Sequence, residues 1–220
     1  MRVVVPFDAT EPKTRLAPVL DATERRAFAE RMLRDVLDAV AATDADTDVD
    51  VLATAAVDPG DPGATVRVDD RPLSAVVNDA IDETVGRDAA DGDATGDALA
   101  VVMADLALAT PAALARLVDA DGDVVLAPGR GVGTNALVVR TPAFEVDFHG
   151  TSYLDHRRAA DDVGATLGTV DSFRLSTDVD EPADLVEVFV HGEGRARDWL
   201  ADRFELAIDD AAGRVALSRR

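Results

Sequence analysis

The chain has 220 residues, enough for one α/β domain with a sizeable hydrophobic core. Its net charge of -21 and pI near 4.3 argue against a nucleic-acid partner, because phosphate binding needs clustered cations. The apolar content of 47% excludes a disordered acidic chain, and the absence of cysteine excludes disulfides and thiolate chemistry.

Acidic residues are abundant, and Lys13 is the only lysine among 22 basic residues. This pattern suggests the cytoplasm of a halophile, because at molar salt the Debye length falls to about 3 Å and like charges hardly repel. The N-terminal apolar run ends at Pro6 and is too short for a signal peptide, and no stretch approaches the roughly 20 apolar residues of a membrane helix. We therefore expect a cytoplasmic protein with no membrane partner.

Strand and helix patterns alternate along the chain, which predicts an α/β fold with a mostly parallel sheet and helices on both faces. Residues 87–97 are rich in Asp, Gly and Ala and predict a mobile loop rather than a domain linker. The predicted elements before that loop are strand 2–7, loop 8–20, helix 23–42, strand 48–55, turn 58–63, strand 65–68 and helix 73–85.

A continuous apolar run at residues 99–103 predicts a central strand buried on both faces. Thr110 and Pro111 are typical of an N-cap followed by proline at the first helical position. The later predicted elements are helix 111–119, strands 124–127 and 136–140, helix 152–163, strand-like segments 166–170 and 173–176, helices from Pro182 and from Gly194, and a hairpin within 204–217 that turns near Gly213.

The loop after the first strand carries Lys13, Thr14 and Arg15. A strand that opens into a loop with two cations is a usual place to bind phosphate, with lysine as a mobile point charge and arginine as a planar fork. The chain lacks the Gly-x-x-x-x-Gly-Lys-Ser/Thr loop of the common ATPases. We predict that Lys13 and Arg15 approach the phosphates of a nucleotide, and the alternative is a stray surface lysine.

Asp105 follows the predicted central strand, at the sheet edge where open α/β sheets bind ligands. Asp178 and Asp180 lie two residues apart on an extended segment, so their side chains point to the same side and could share a metal. Mg²⁺ takes one or two carboxylates together with substrate phosphates. The chain has seven Asp-x-Asp matches, so the pattern alone says little, and ordinary surface or loop charges are the alternative.

Two later segments could bind anions. The glycine-rich loop at 129–135 would offer backbone amides, with Arg130, Thr134 and Asn135 adding polar groups, and a plain hairpin turn is the alternative. Thr151 and Ser152 lie at a predicted helix N-terminus, which suits either an anion or simple N-capping. Asn78, on the helix after the third strand, is a candidate for nucleotide contact or for a capping role at the edge of the core.

The order of these motifs is more specific than any one of them. The segments concerned are residues 12–16, 103–106, 127–137, 152–156 and 178–185. Together they resemble the 2-phospho-L-lactate guanylyltransferase family of coenzyme F(420) biosynthesis. The resemblance covers the chain to about residue 191, and residues 194–220, a helix and a probable hairpin, are expected to lie outside it.

The resemblance implies a single-domain, Rossmann-like three-layer nucleotidyltransferase fold of the nucleotide-diphospho-sugar transferase type. It also implies Mg²⁺-dependent transfer of GMP from GTP to the phosphate of 2-phospholactate. By motif match, Asp105, Asp178 and Asp180 would bind the metal, and Lys13 and Arg15 would bind the phosphates. Pro6 and Thr14 of the same loop are further predicted nucleotide-binding residues.

For the acceptor, the resemblance implies Thr134 and Asn135 together with the backbone around Gly150 and Ser152. The expected partners are these small molecules, and the sequence leaves a homodimer open. Three alternatives remain at this point: transfer to phosphoenolpyruvate or 3-phosphoglycerate, transfer to a sugar phosphate or a molybdopterin, and a nucleotide-binding regulator without catalysis.

Overall fold

The structure is a computed structural model that describes residues 1–43, 47–60, 63–86, 98–209 and 213–220. The predicted loop at 87–97 and part of the predicted turn at 58–63 lie outside the described residues. Among the described residues, no helix has the length and apolarity needed to cross a membrane.

Nine strands and seven α-helices make up the described part of the chain, with one 3-10 helix at Thr14–Leu16. The strands are β1 (Arg2–Phe7), β2 (Asp48–Ala53), β3 (Ala64–Val68), β4 (Leu99–Val102), β5 (Val124–Pro128), β6 (Thr134–Val139), β7 (Leu167–Thr169), β8 (Phe204–Asp209) and β9 (Arg214–Arg219). The helices are α1 (Ala22–Ala41), α2 (Leu73–Thr84), α3 (Pro111–Val118), α4 (Ser152–Asp162), α5 (Phe173–Ser176), α6 (Asp184–His191) and α7 (Arg195–Ala201).

Seven strands form one sheet in the order β3-β2-β1-β4-β6-β5-β7. The pairs β1–β2, β1–β4, β2–β3 and β5–β7 are parallel, whereas β6 runs antiparallel to both β4 and β5. The prediction of a mostly parallel α/β sheet is confirmed. Because β6 is reversed, its first residues lie at the same sheet edge as the carboxyl ends of β1 and β4.

Strand β4 is buried along its whole length, as predicted from its continuous apolar run, and β1 also places side chains in the core on both faces of the sheet. In β1, Val3 and Val5 belong to one core cluster and Val4 to the other. The first cluster contains side chains of α1, α3, α6 and α7, and the second contains those of α2 and α4. This alternation follows from the two-residue period of a strand and produces three layers, with helices on both faces of the sheet.

Helix boundaries follow local capping signals. Asp21 and Glu24 form a reciprocal capping box at the start of α1, and Thr110 caps α3 through the amide of Ala113 with Pro111 in the first turn. The predicted strand at 173–176 is wrong, because these residues form the single helical turn α5. Ser172 accepts a hydrogen bond from the amide of Leu175 there, and four residues are too few for a helical period to show in the sequence.

The C-terminal segment packs into the first core cluster through Ala196, Trp199, Leu200 and Phe204. The carboxylate of Asp35 on α1 accepts hydrogen bonds from the amides of Arg195 and Ala196, both at 2.8 Å, and so caps α7 from a distant part of the chain. The predicted hairpin is confirmed as β8 and β9.

Candidate active site

A cavity of about 340 Å³ opens at the carboxyl edge of β1 and β4. It is lined by the end of β1, the loop that follows, two residues of α1, the segment after β4 and Asp180. The lining residues are Pro6, Phe7, Asp8, Glu11, Pro12, Lys13, Thr14, Arg15, Ala29, Met32, Met103, Ala104, Asp105 and Asp180. Of the predicted nucleotide-binding residues, Pro6, Lys13, Thr14 and Arg15 therefore belong to this lining, whereas Asn78 does not.

Lys13 is the central cation of the cavity. Its Nζ donates to Asp105 Oδ2 at 2.6 Å and to Asp180 Oδ1 at 2.9 Å, and its side chain is only 13% exposed. Burial works to lower the pKa of Lys13, but the charges and hydrogen bonds of both aspartates outweigh it, and the pKa is raised above the usual value. The lysine is therefore a charged structural partner of two carboxylates, and the stray-surface alternative is wrong.

The backbone of the loop directs Lys13 into the cavity. Lys13 has φ 55° and ψ 44°, a left-handed conformation that is uncommon outside glycine. The 3-10 turn that follows is anchored by Leu16, which is fully buried, while Arg15 is 69% exposed and reaches Asp180 Oδ2 at 3.3 Å. The two cations of the loop therefore converge on one carboxylate, one from inside the cavity and one from its rim.

Asp105 lies three residues beyond β4. Its Oδ2 is bound to Lys13, but its Oδ1 is buried and has no hydrogen-bond partner. The backbone carbonyl of Asp105 accepts from the amide of Val179 at 3.3 Å, which brings the Asp178–Asp180 segment beside it. An unpartnered buried carboxylate oxygen is costly in a fold, so this atom is available for a ligand.

Asp178 is close enough to the other two carboxylates to be repelled by them. Its pKa is raised, first because burial disfavours the charged form and then because Asp105 and Asp180 are negative, while a hydrogen bond from Asn135 works in the opposite direction. Among the described residues, no three acidic, histidine or cysteine side chains lie close enough together to bind a metal ion as they stand. The ammonium of Lys13 supplies the neutralising charge instead.

Asn135, one of the predicted acceptor-binding residues, makes its side-chain bonds within the protein. It is buried, and its Nδ2 donates to Leu175 O at 3.0 Å and to Asp178 Oδ1 at 3.1 Å. A Cβ at Gly129 would lie 2.5 Å from Asn135 Oδ1, so glycine is needed there to leave room for this amide. Asn135 therefore fixes the orientation of Asp178.

The glycine-rich segment at 129–133 forms the turn between β5 and β6, which was the alternative to an anion loop. The amides of Gly129, Arg130 and Val132 donate to the carbonyls of Gly133, Ser176 and Gly129. The Arg130 guanidinium pairs with Asp184 at 2.5 Å. These three amides are therefore bonded within the protein.

Thr134 and Ser152 form a second polar group together with His156, all three of them buried. The Thr134 amide donates to Ser152 Oγ at 2.9 Å, and Thr134 Oγ1 lies 2.9 Å from His156 Nδ1. The amide of Asp147 donates to His156 Nε2 at 3.0 Å, so the imidazole is neutral and carries its proton on Nδ1. Burial lowers the pKa of His156 to about 4, which agrees with that tautomer. We call Thr134, Ser152 and His156 the histidine cluster.

Two further predicted residues lie apart from the cavity lining. Both polar atoms of the Asn78 side chain bond the backbone of Val146, at 3.1 and 2.8 Å, which matches the structural alternative for Asn78. Gly150 is exposed, and a Cβ there would meet nothing within 4 Å. The predicted N-capping of α4 by Thr151 or Ser152 is wrong, because Thr151 bonds Asp155 and Ser152 bonds Thr134.

The sequence analysis missed Asp184. Its Oδ2 accepts from the amides of Asp180 at 3.0 Å and Glu181 at 2.8 Å. The signal was an acidic residue four positions after Asp180, at the start of a predicted helix, where a side chain can bond the preceding turn.

Comparisons with known proteins identify the family of this chain. The family described as guanylyl transferase CofC like matches residues 1–219, and so includes the C-terminal segment expected to lie outside the resemblance. A 2-phospho-L-lactate guanylyltransferase of Halomicrobium mukohataei is 59% identical over all of both chains, and one of Haloferax volcanii is 61% identical over 92% of this chain and 91% of its own.

A solved structure from Desulfovibrio desulfuricans G20, described as a nucleotide-diphospho-sugar transferase, matches the fold. The TM-score is 0.68 with 16% identity, covering 91% of this chain and 94% of that one. This agreement confirms the predicted fold type, and the family match over residues 1–219 shows the family of the chain. The chain belongs to the guanylyl transferase CofC-like family.

Proposed function

We propose that this protein transfers GMP from GTP to the phosphate of 2-phospho-L-lactate and releases pyrophosphate, a step in making coenzyme F(420). Two relatives above 50% identity carry the name of that activity. The observation that carries the proposal is the ammonium of Lys13 between Asp105 and Asp180 in a cavity at the carboxyl edge of the sheet. Cations and carboxylates thus meet where an α/β sheet binds its ligands.

The reaction needs no general base, because the attacking group is already an anion. A phosphate oxygen of the acceptor, already an anion, attacks the α-phosphorus of GTP, and the bond from that phosphorus to the β-phosphate oxygen breaks. The new phosphorus–oxygen bond makes the product, and pyrophosphate leaves with the electron pair. The obstacle is repulsion between two polyanions, so catalysis consists of neutralising charge and aligning the attack.

Lys13 and Arg15 supply the neutralising charges of this chain. Lys13 would exchange its contacts with Asp105 and Asp180 for the triphosphate, and Arg15, at the rim, would follow with its planar fork. Pro6 and Thr14 line the same cavity and would contact the nucleotide.

A Mg²⁺ ion fits the donors that Lys13 would leave behind. The candidate ligands Asp105, Asp178 and Asp180 are carboxylate oxygens, the type that hard cations take, and Asp105 Oδ1 has no internal bond to lose. When bound, such an ion would withdraw charge from the phosphates. Asn135 would orient the Asp178 carboxylate toward the ion, and the loop that carries Asp180 would orient the second carboxylate.

The acceptor site remains a prediction from the resemblance. Thr134 and Ser152 use the polar atoms described above within the histidine cluster, whereas Gly150 is exposed with open space around it. We therefore expect the acceptor to contact the backbone near Gly150. The bond between Thr134 and the buried Ser152 would hold this backbone in place.

The test is pyrophosphate release in multimolar KCl. Each of the four nucleoside triphosphates is paired with 2-phospholactate, phosphoenolpyruvate or 3-phosphoglycerate, with Mg²⁺ present. We expect GTP with 2-phospholactate to give the highest kcat/KM. A preference for either other acceptor would reassign the substrate, and no release in any pairing would leave a binding protein without catalysis.

A further inference from the structure

The segment that carries Asp180 is bonded through its backbone to a side chain outside the cavity lining. Asp184 Oδ2 accepts from the amides of Asp180 and Glu181, at 3.0 and 2.8 Å. These are the amides directly at and after the residue that contacts Lys13 and Arg15. The Asp184 carboxylate thus holds the backbone from which the Asp180 side chain extends.

Asp184 does not act as the cap of its own helix. It is the first residue of α6, whose N-cap is Ala183 without a side-chain hydrogen bond, and its carboxylate points back to the preceding turn. Its second oxygen, Oδ1, accepts from Arg130 Nη2 at 2.5 Å. Arg130 is in turn fixed by its own amide, which donates to Ser176 O at 3.1 Å.

The turn between β5 and β6, together with the start of β6, therefore connects to both members of the Asp178–Asp180 pair, directly to Asp178 and through Asp184 to Asp180. At its base, Asn135 bonds Asp178, and at its tip, Arg130 bonds the residue that supports Asp180. The side chain of Asp184 is only 16% exposed, whereas that of Arg130 is 45% exposed. A surface arginine thus connects to the cavity through one carboxylate.

We propose that Asp184, oriented by Arg130, is a positioning residue that places the Asp180 carboxylate against Lys13. For its effect on turnover, the inference rests on the proposed function. The geometry of the Lys13–Asp180 contact does not depend on that function and can be tested without substrates. Groups that orient metal ligands typically change metal affinity or activity by about 10- to 100-fold when mutated, and Asp180 is a proposed metal ligand.

The experiment follows Lys13 in the substrate-free protein. An amine-directed reagent can modify only Lys13 and the N-terminus, because the chain has no other lysine. In Asp184→Ala, Asp180 should lose its placement, and labelling of Lys13 should become faster by about fivefold or more, as for the loss of a charged hydrogen bond. Asp184→Asn keeps an acceptor oxygen for the two amides and should restore part of the protection.

Arg130→Gln tests the same connection at an exposed position where folding is not at risk. Like Asp184→Ala, the Arg130→Gln variant should make labelling of Lys13 faster. It should also lower kcat more than it raises KM. Matched controls are Arg195→Gln and Asp38→Asn, which break another arginine–aspartate pair between α7 and α1 and should leave Lys13 labelling unchanged. Asp180→Asn serves as the positive control.

The proposal is overturned if folded Arg130→Gln and Asp184→Ala proteins both label at the wild-type rate. A pure loss of melting temperature with unchanged Lys13 labelling would show a merely structural role, which also overturns it. If the wild-type protein released no pyrophosphate with any substrate pair, the proposed function would fail while the labelling comparison would still decide the positioning role.

Discussion

The cavity around Lys13 and the histidine cluster are both groups of buried or half-buried polar residues, yet they are built differently. In the histidine cluster, neutral groups bond neutral groups, and both imidazole nitrogens have a partner. In the cavity, the ammonium of Lys13 lies between the carboxylates of Asp105 and Asp180, and one oxygen of Asp105 has no partner. The comparison suggests that polar residues with satisfied bonds support the fold, whereas unmatched charge marks the place of chemistry.

The strongest way to break this comparison is Asp105→Asn. The substitution removes the charge that faces Lys13 and one proposed metal ligand but keeps the size of the side chain. We expect pyrophosphate release to fall by about 10³-fold, the upper end for a lost electrostatic stabiliser, with little change in melting temperature.

A matched control for Asp105→Asn is Glu205→Gln, which changes an exposed acid on β8. Glu205→Gln should retain normal turnover. Near-normal turnover of Asp105→Asn at saturating Mg²⁺ would remove Asp105 from the site.

The next largest effect is expected from Lys13→Ala, with turnover slower by about 10²-fold or more. Loss of a contact made mainly in the transition state lowers kcat together with kcat/KM. Lys13→Arg should recover only part of the rate, because its wider planar head does not fit the point between two carboxylates. Steady-state kinetics in multimolar KCl measure both parameters.

Chemical labelling gives an independent check on Lys13. GTP with Mg²⁺ should slow modification of Lys13 but not of the N-terminus. Labelling that GTP leaves unchanged, together with normal kinetics of Lys13→Ala, would contradict the phosphate role.

The salt concentration should affect the acidic surface and the cavity differently. With a net charge of -21, surface repulsion is screened as KCl rises, and we expect the melting temperature to increase by about 10 °C or more between low and molar KCl. The partly buried Lys13–Asp105 contact is screened less than surface charges are, so labelling of Lys13 should change little over the range in which the protein stays folded. A flat melting temperature would show that the acidic surface is no adaptation to salt.

Local patterns in the sequence predicted most of the fold and the charged half of the site. Apolar runs marked β1 and β4, and a lysine loop and an aspartate after those strands lie together because carboxyl ends of parallel strands share an edge. The role of Asn135 could not be predicted in this way, since its bond to Asp178 joins residues 43 positions apart. The helical turn at 173–176 was missed because four residues show no period.

The histidine cluster was equally beyond sequence reasoning, because the same hydroxyls and histidine suit an anion site or a buried network. The burial of His156 predicts a pH dependence of the free energy of unfolding that can be assigned to this cluster. The pKa of His156 is lowered from 6.5 to about 4, so between those values the unfolded chain binds a proton that the folded protein excludes. Stability from this group is complete above about pH 6.5 and is lost as the pH falls toward 4, by about 3 kcal/mol in all.

Urea unfolding at constant KCl measures this loss. Because other groups titrate in the same range, the informative quantity is the difference between the wild type and His156→Gln. The variant should be less stable at pH 8, yet its stability should fall less steeply between pH 6.5 and 4. If the two proteins lost stability in parallel over that range, His156 would be protonated in the folded state, and the contrast between a neutral cluster and a charged cavity would fail. Turnover of His156→Gln at neutral pH should stay closer to normal than that of either cavity variant, because the imidazole supports the fold from outside the cavity lining.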